Sequence, residues 1–196
     1  MLYLASQSPR RAQLLTALGY EFSTSDIAVP ERPAPDESPQ DYVSRVALDK
    51  ARAGFRTLDR VEGAVVLAAD TEVVLGNDIF GKPDDAAAAQ AMLERLSGRS
   101  HEVITVLWAI DAGGARSACC RTEVRFATLN RQQIAEYVAS GEPFGKAGAY
   151  AIQGRGGAFV EALSGSHSGV MGLPMFETDR LLRSFGLQPS AVTVRG

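Results

Sequence analysis

Apolar residues fall along this chain in two rhythms, short unbroken runs and a repeat of three to four. Leu2 to Ala5 is the first run and predicts a buried strand. Ser8-Pro9 then reads as an N-cap and first helical position, and Leu14, Leu15 and Leu18 form one stripe that stops at Gly19. The stretch "DIAVPERPAPDESP" (26–39) is too rich in proline to be strand or helix and predicts an irregular loop beside a cleft. Ser38-Pro39 starts a second helix, with Asp41 at the capping-box position, and Val43, Val46, Ala47 and Ala51 carry it to about Gly54. Lys50 lies four residues beyond Val46, on the buried side.

Further on, "VVLAADTEVVLGNDIFGKP" predicts a buried strand ending at Asp70-Thr71 and a hairpin turning at Gly76-Asn77-Asp78. "DDAAAAQAMLERLSG" is a helix ending at Ser97-Gly98, and "HEVITVLWAI", "DAGGA" and "RSACCRTEVRFATL" make a long hairpin. Residues 130–140 return to helix, a glycine-rich stretch follows with one strand-like run at 158–163, and a last helix spans about 174–185. The final ten residues read as frayed. Strands and helices intermix without strict alternation, no repeat or linker is visible, and the fold expected is α/β of the mixed kind: one domain over 1–196, a mixed sheet, helices outside and a central cleft.

Composition narrows the functions open to such a fold. A chain of 196 residues that is 45% hydrophobic can bury a real core, and a net charge of −3 argues against a general nucleic-acid binder. No apolar run approaches the roughly 18 residues of a membrane span, so a cytoplasmic protein is expected. Cys119 and Cys120 are adjacent, which strains a bond between them, and they read as reduced thiols. With two histidines, His101 and His167, zinc spacing is absent, and neither histidine sits in a recognisable nucleophile context.

What remains is hydroxyls, cations and a carboxylate. "SQSPRR" places Ser6, Ser8, Arg10 and Arg11 at a helix start, where free amides and the helix dipole attract phosphate. Only three of the 20 basic residues are lysine, namely Lys50, Lys82 and Lys146, and a compact ammonium suits a phosphate or a metal site. Asp70, at a strand end facing the usual crevice, is the catalytic candidate, with Lys82 folded back near it by the hairpin. Such parts move a phosphorus centre with a hard divalent metal.

The segments "LASQSPRRAQLL", "AADTEVVLGNDIFGKP", "LSGRSHEVITV", "YVASGEPFGKAGAYAIQGRGG" and "VMGLPMFET", in this order, resemble the Maf family of nucleoside triphosphate pyrophosphatases. The resemblance implies a fold like that of the inosine triphosphatase group, two lobes around a deep cleft, a homodimer, and a family name linked to inhibition of septum formation. It implies cleavage between the α and β phosphorus atoms of a nucleoside triphosphate. Asp70 would be the proton acceptor and hold the metal, Mg²⁺ with Mn²⁺ or Co²⁺ as substitutes. Ser6, Ser8, Arg10, Arg11, Glu31, Lys50 and Lys82 would bind substrate, and Arg10, Thr71 and Gln153 match positions that set specificity in the dTTP and UTP branch. One primary amide, Gln153, can accept from the pyrimidine N3 hydrogen and donate to O4. The chain departs from the family pattern at Gly145, where aspartate is common, and at His167, where an aromatic is usual. Three alternatives stand beside this reading. They are the 7-methyl-GTP branch, a nucleotide-binding regulator of cell division, and a haloacid-dehalogenase-like phosphatase suggested by acids at Asp70 and Glu72.

Overall fold

The opening apolar run becomes strand β1 (Leu2–Ala5), and Pro9 at the first helical position starts helix α1 (Pro9–Ala17). A second strand, β2 (Phe22–Ser25), runs parallel beside β1, so the first three elements form a βαβ unit. Helix α2 (Pro39–Thr57) starts at Ser38, whose hydroxyl accepts from the amide of Asp41, and runs three residues past the expected Gly54. The computed structural model describes residues 1–58 and 61–190.

Strand β3 (Val65–Leu75) is the centre of the molecule, and it corrects one expectation. It does not end at Asp70-Thr71 but continues through them to the turn at Gly76, because apolar residues on both sides of the polar triplet are buried against helices. Strands β4 (Asp78–Phe80), β5 (Ser100–Asp111), β6 (Gly114–Phe126) and β7 (Val160–Ser164) follow, with α3 (Ala86–Leu96), α4 (Arg131–Ala139), α5 (His167–Met171) and α6 (Met175–Ser184). Together the strands form one seven-stranded mixed sheet in the order β2-β1-β3-β5-β6-β7, with β4 on β3. The side from β2 to β3 is parallel and the side from β3 to β7 antiparallel.

The cleft is a consequence of that topology. One edge of β3 pairs with β5 from Val66 to Val74. The other pairs with β1 only as far as Leu67 and with β4 only from Val73 onward. Ala68 to Glu72 therefore have no strand on that side, and the sheet is notched where the polar triplet lies. Asp70 faces the cleft from mid-strand because its neighbour stops, not because its own strand does.

The core divides around this notch. On one face α2 sets Val43, Val46, Ala47 and Ala51 against Val66, Ala68, Val74, Ile104 and Val106. Contact is closest at Gly54, where a β-carbon would lie 2.9 Å from that of Ala5. On the other face Leu14, Leu15, Leu181 and Leu182 cover Leu67, Ala69, Leu107 and Ala109. A separate cluster, with Leu93, Leu96, Phe126, Ile134 and Tyr137, joins α3 and α4 to the far end of the sheet. Truncating any fully buried leucine here costs about 2–5 kcal/mol. Cys119 and Cys120 are free thiols, one exposed and one buried, as alternation along β6 requires. The expected frayed end is corrected as far as Ser190. Leu187 packs on the core and the Ser190 amide donates to Gly19 at 2.8 Å, while residues 191–196 lie outside the described residues. Among the described residues no helix is long and apolar enough to cross a membrane.

Candidate active site

A cavity of about 350 Å³ occupies the notch, and every site residue singled out in the sequence, from Ser6 to Gln153, lines it. On one side is the β1-α1 turn. Ser8 has N-cap backbone angles, yet its hydroxyl makes no capping bond, and its amide donates to Ser6 Oγ at 3.2 Å. With no acidic residue in its first turn, α1 presents an uncompensated positive end. Arg11 is pinned in three directions: Nε to Gly172 O at 2.9 Å, Nη1 to Ser6 Oγ at 3.2 Å and Nη2 to Thr71 Oγ1 at 3.2 Å. Burial lowers its pKa and the Asp70 carboxylate opposes that. Arg10 is shifted down by burial alone, with no protein carboxylate engaged. The Thr71 hydroxyl that accepts from Arg11 is also shared with Thr105 Oγ1 at 2.9 Å.

The opposite side is acidic and tightly cross-linked. Lys50, buried on α2, donates to Asp70 Oδ1 at 2.7 Å and reaches Glu31 Oε1 at 2.5 Å. Lys82 does not meet Asp70 as the hairpin suggested. Its ammonium lies 2.8 Å from Glu31 Oε2. Glu31, on the proline-rich loop, is thus clasped by two lysines. Burial opposes its ionisation, but the two ammonium groups prevail and hold its carboxyl down at about 2. Glu72 has no such support. Burial first, then the Asp70 and Glu31 charges, push it up to about 8.

The far wall is the glycine-rich loop. Gly148, with φ +69°, sits on β3 so closely that a β-carbon would lie 2.7 Å from Val73 Cγ2. Lys146 donates to the carbonyls of Glu142 and Phe144, and burial, then Arg10, lowers its pKa. Gly145 has φ +71° and also lines the cavity. Gln153 is exposed at the cavity wall, while the loop beneath it is fixed by Glu142, which accepts from the amides of Arg155 at 3.1 Å and Gly156 at 3.0 Å. Tyr150 also lines the wall, and its hydroxyl meets His101 Nε2 at 2.9 Å. His167 is exposed at the start of α5.

Glu72, which lines the cavity, entered the sequence reading only through the phosphatase alternative, and Glu142, which supports the loop beneath Gln153, was not singled out. Glu142 carries no local signal. Glu72 has one, since Asp70 and Glu72 are two apart on a strand and must share a face. Among the described residues no group of three or more His, Cys, Asp or Glu forms a closed metal cage. An open site fits better. Asp70 Oδ2 is buried without a partner, and one or two carboxylates, completed by phosphate oxygens and water, are the usual protein share of a Mg²⁺ site.

Comparison with known proteins agrees with this chemistry. The family model described as Maf-like protein matches residues 1–185. A "dTTP/UTP pyrophosphatase" of Xanthomonas euvesicatoria pv. vesicatoria (strain 85-10) is 55% identical over 188 residues, covering 95% of this chain and 99% of that protein. A "Nucleoside triphosphate pyrophosphatase" of Xylella fastidiosa (strain M23) is 54% identical over 186 residues, covering 94% and 98%. Among solved structures, the Staphylococcus aureus Ham1 protein aligns with a TM-score of 0.46 at 13% identity over 64% of this chain and 71% of that one, too loosely to carry weight. With the family model spanning all but the last residues and relatives above half identity along almost the whole length, the chain belongs to the Maf-like family.

Proposed function

We propose that this protein hydrolyses dTTP and UTP to the monophosphate and pyrophosphate, in the cytoplasm, with the described chain acting as one catalytic unit. The observation that carries the reading is the position of Asp70. Lys50 fixes one of its oxygens, the other is bare, and the phosphate cradle lines the same cavity. The relatives' names supply the substrate class and the type of cleavage.

In this reading the triphosphate lies along the α1 start, with Ser8, Arg10 and the helix amides donating to its oxygens. Arg11 is already committed to three protein acceptors, so it shapes the turn and contributes charge. Asp70 orients a water toward the α-phosphorus and takes its proton, a bond forms from that oxygen to phosphorus, and the bond from phosphorus to the bridging oxygen breaks. Pyrophosphate leaves with the electron pair, its charge met by Arg10, Lys82 and Lys146. Asp70 would hold a divalent cation, which when bound would supply further neutralisation of the phosphate charge. Lys50 and Lys82 line the same cavity and add positive charge toward the phosphates. Gln153 reads the pyrimidine edge, and Thr71 acts on specificity through Arg11.

Product analysis by anion exchange in Mg²⁺, with dTTP, UTP, CTP, ATP, GTP and 7-methyl-GTP offered separately, tests the whole reading. The expected result is monophosphate and pyrophosphate from dTTP and UTP. Diphosphate and orthophosphate, turnover confined to 7-methyl-GTP, or bound nucleotide left intact would each overturn it.

A further inference from the structure

Two carboxylates on one strand face are both left wanting in this cleft. Asp70 is 5% exposed and Glu72 8% exposed, both line the cavity, and each has one buried oxygen without a hydrogen-bond partner, Oδ2 and Oε2. Lys50 pairs with Asp70 Oδ1 and Glu31, and Lys82 with Glu31, so Asp70 is supported on one oxygen only and among the described residues Glu72 has no ion pair at all. A buried carboxyl oxygen with no partner is costly, and these two open onto a cavity that a ligand can enter. The substrate makes the deficit worse, because a triphosphate brings more negative charge to the same cavity. A hard dication satisfies both bare oxygens and a polyphosphate together.

We propose that Glu72 is a second metal-ligating carboxylate, so that Asp70 and Glu72, two residues apart on β3, jointly hold the divalent cation of the reaction. The inference rests on the metal reading above and adds to it a ligand that reading does not need. The alternation of the strand sets both carboxyls on one face, and the notch in the sheet leaves that stretch open to phosphate oxygens and water, which complete the shell.

The test is Mn²⁺ binding, followed by electron paramagnetic resonance and by calorimetry, on the full chain with and without α,β-imido-dUTP. Wild type, Glu72→Gln, Glu72→Asp and Asp70→Asn are compared. The expected result is that Glu72→Gln weakens Mn²⁺ by at least ~10-fold, the least that even an outer partner of a metal ligand costs, and loses the Mn²⁺-induced rise in melting temperature. Glu72→Asp keeps part of the affinity. Melting without metal confirms that Glu72→Gln is folded, as expected of an amide that is isosteric with the acid and adds no charge to the cluster. If Glu72→Gln binds Mn²⁺ as wild type does while Asp70→Asn does not, the inference fails and the metal reading stands. If neither substitution changes Mn²⁺ affinity, or wild type binds none, both fail. If Glu72→Gln lowers affinity for the nucleotide analogue in EDTA and leaves Mn²⁺ affinity intact, Glu72 contacts the nucleotide and the inference is overturned.

Discussion

The two sides of the cleft are both dense in charge, but they treat it in opposite ways. At Arg11 each of the three guanidinium nitrogens has a protein acceptor and the Thr71 hydroxyl is shared by two neighbours, so this turn is held in shape before any ligand arrives. Around Asp70 and Glu72 two buried oxygens are bare, although lysines stand within reach of the cluster. A saturated network holds a shape, whereas an unsaturated one beside a cavity waits for a ligand. His101 sharpens the distinction. Its Nδ1 is also bare and buried, but it is packed edge-on against Phe126 and Tyr150 and does not line the cavity. A bare atom signals chemistry only where a ligand can reach it.

The contrast can be broken by substitution. The largest effect is expected at Asp70: Asp70→Asn should lower kcat for dTTP by about 10³-fold, within the range for removing a general base, in protein shown by its melting transition to be folded. Near-normal turnover at saturating metal would remove the assigned base. Next comes His101, whose pKa burial lowers to about 4 from 6.5. The folded state then binds fewer protons than the unfolded one between those values. His101's contribution is complete above pH 6.5 and is lost as pH falls toward 4, at up to ~1.4 kcal/mol per pH unit. Urea unfolding across that window should show a steeper loss for wild type than for His101→Gln; parallel slopes would mean the ring is not the titrating group.

On the saturated side, Arg11→Lys keeps the charge but cannot satisfy three acceptors in fixed directions, and it should cost about 2 kcal/mol, seen as roughly 30-fold in kcat/KM. If lysine restored full activity, the fork geometry would be irrelevant and the contrast between the two sides would weaken. Smallest is Gln153→Leu, which should narrow the preference for UTP over CTP by about tenfold, near the worth of one hydrogen bond to a base. An unchanged preference would move base recognition to the backbone of the glycine-rich loop.

How much of this was visible in the chain depends on how far apart the partners lie. The N-cap at Ser38, the stripe of α1 and the hydroxyl-arginine turn are local, and they read directly from spacing. Asp70 was recognisable as chemistry, but its place in mid-strand was not, because the notch depends on where β1 and β4 stop. The lysines were marked by their rarity, yet nothing local says that Lys82 meets Glu31, 51 residues away, rather than Asp70. Glu72 was legible as a partner of Asp70 by alternation, and became informative only when no donor was found beside it. Gly145 was a departure from the family pattern; the structure gives it a left-handed backbone, beside which Lys146 turns to backbone carbonyls.

The bond from Arg11 to the carbonyl of Gly172 spans 161 residues. Its consequence concerns the order of assembly during synthesis. Arg11 is synthesised 161 residues before the Gly172 carbonyl that holds its guanidinium, and the β1–β3 pairing beneath it is itself a long-range parallel contact of the kind that forms slowly. A nascent chain therefore carries its anion-seeking segment for most of its length without a finished pocket. An N-terminal fragment ending before α5 is missing the Gly172 carbonyl that accepts from Arg11, so the turn at α1 is left without one of its three anchors.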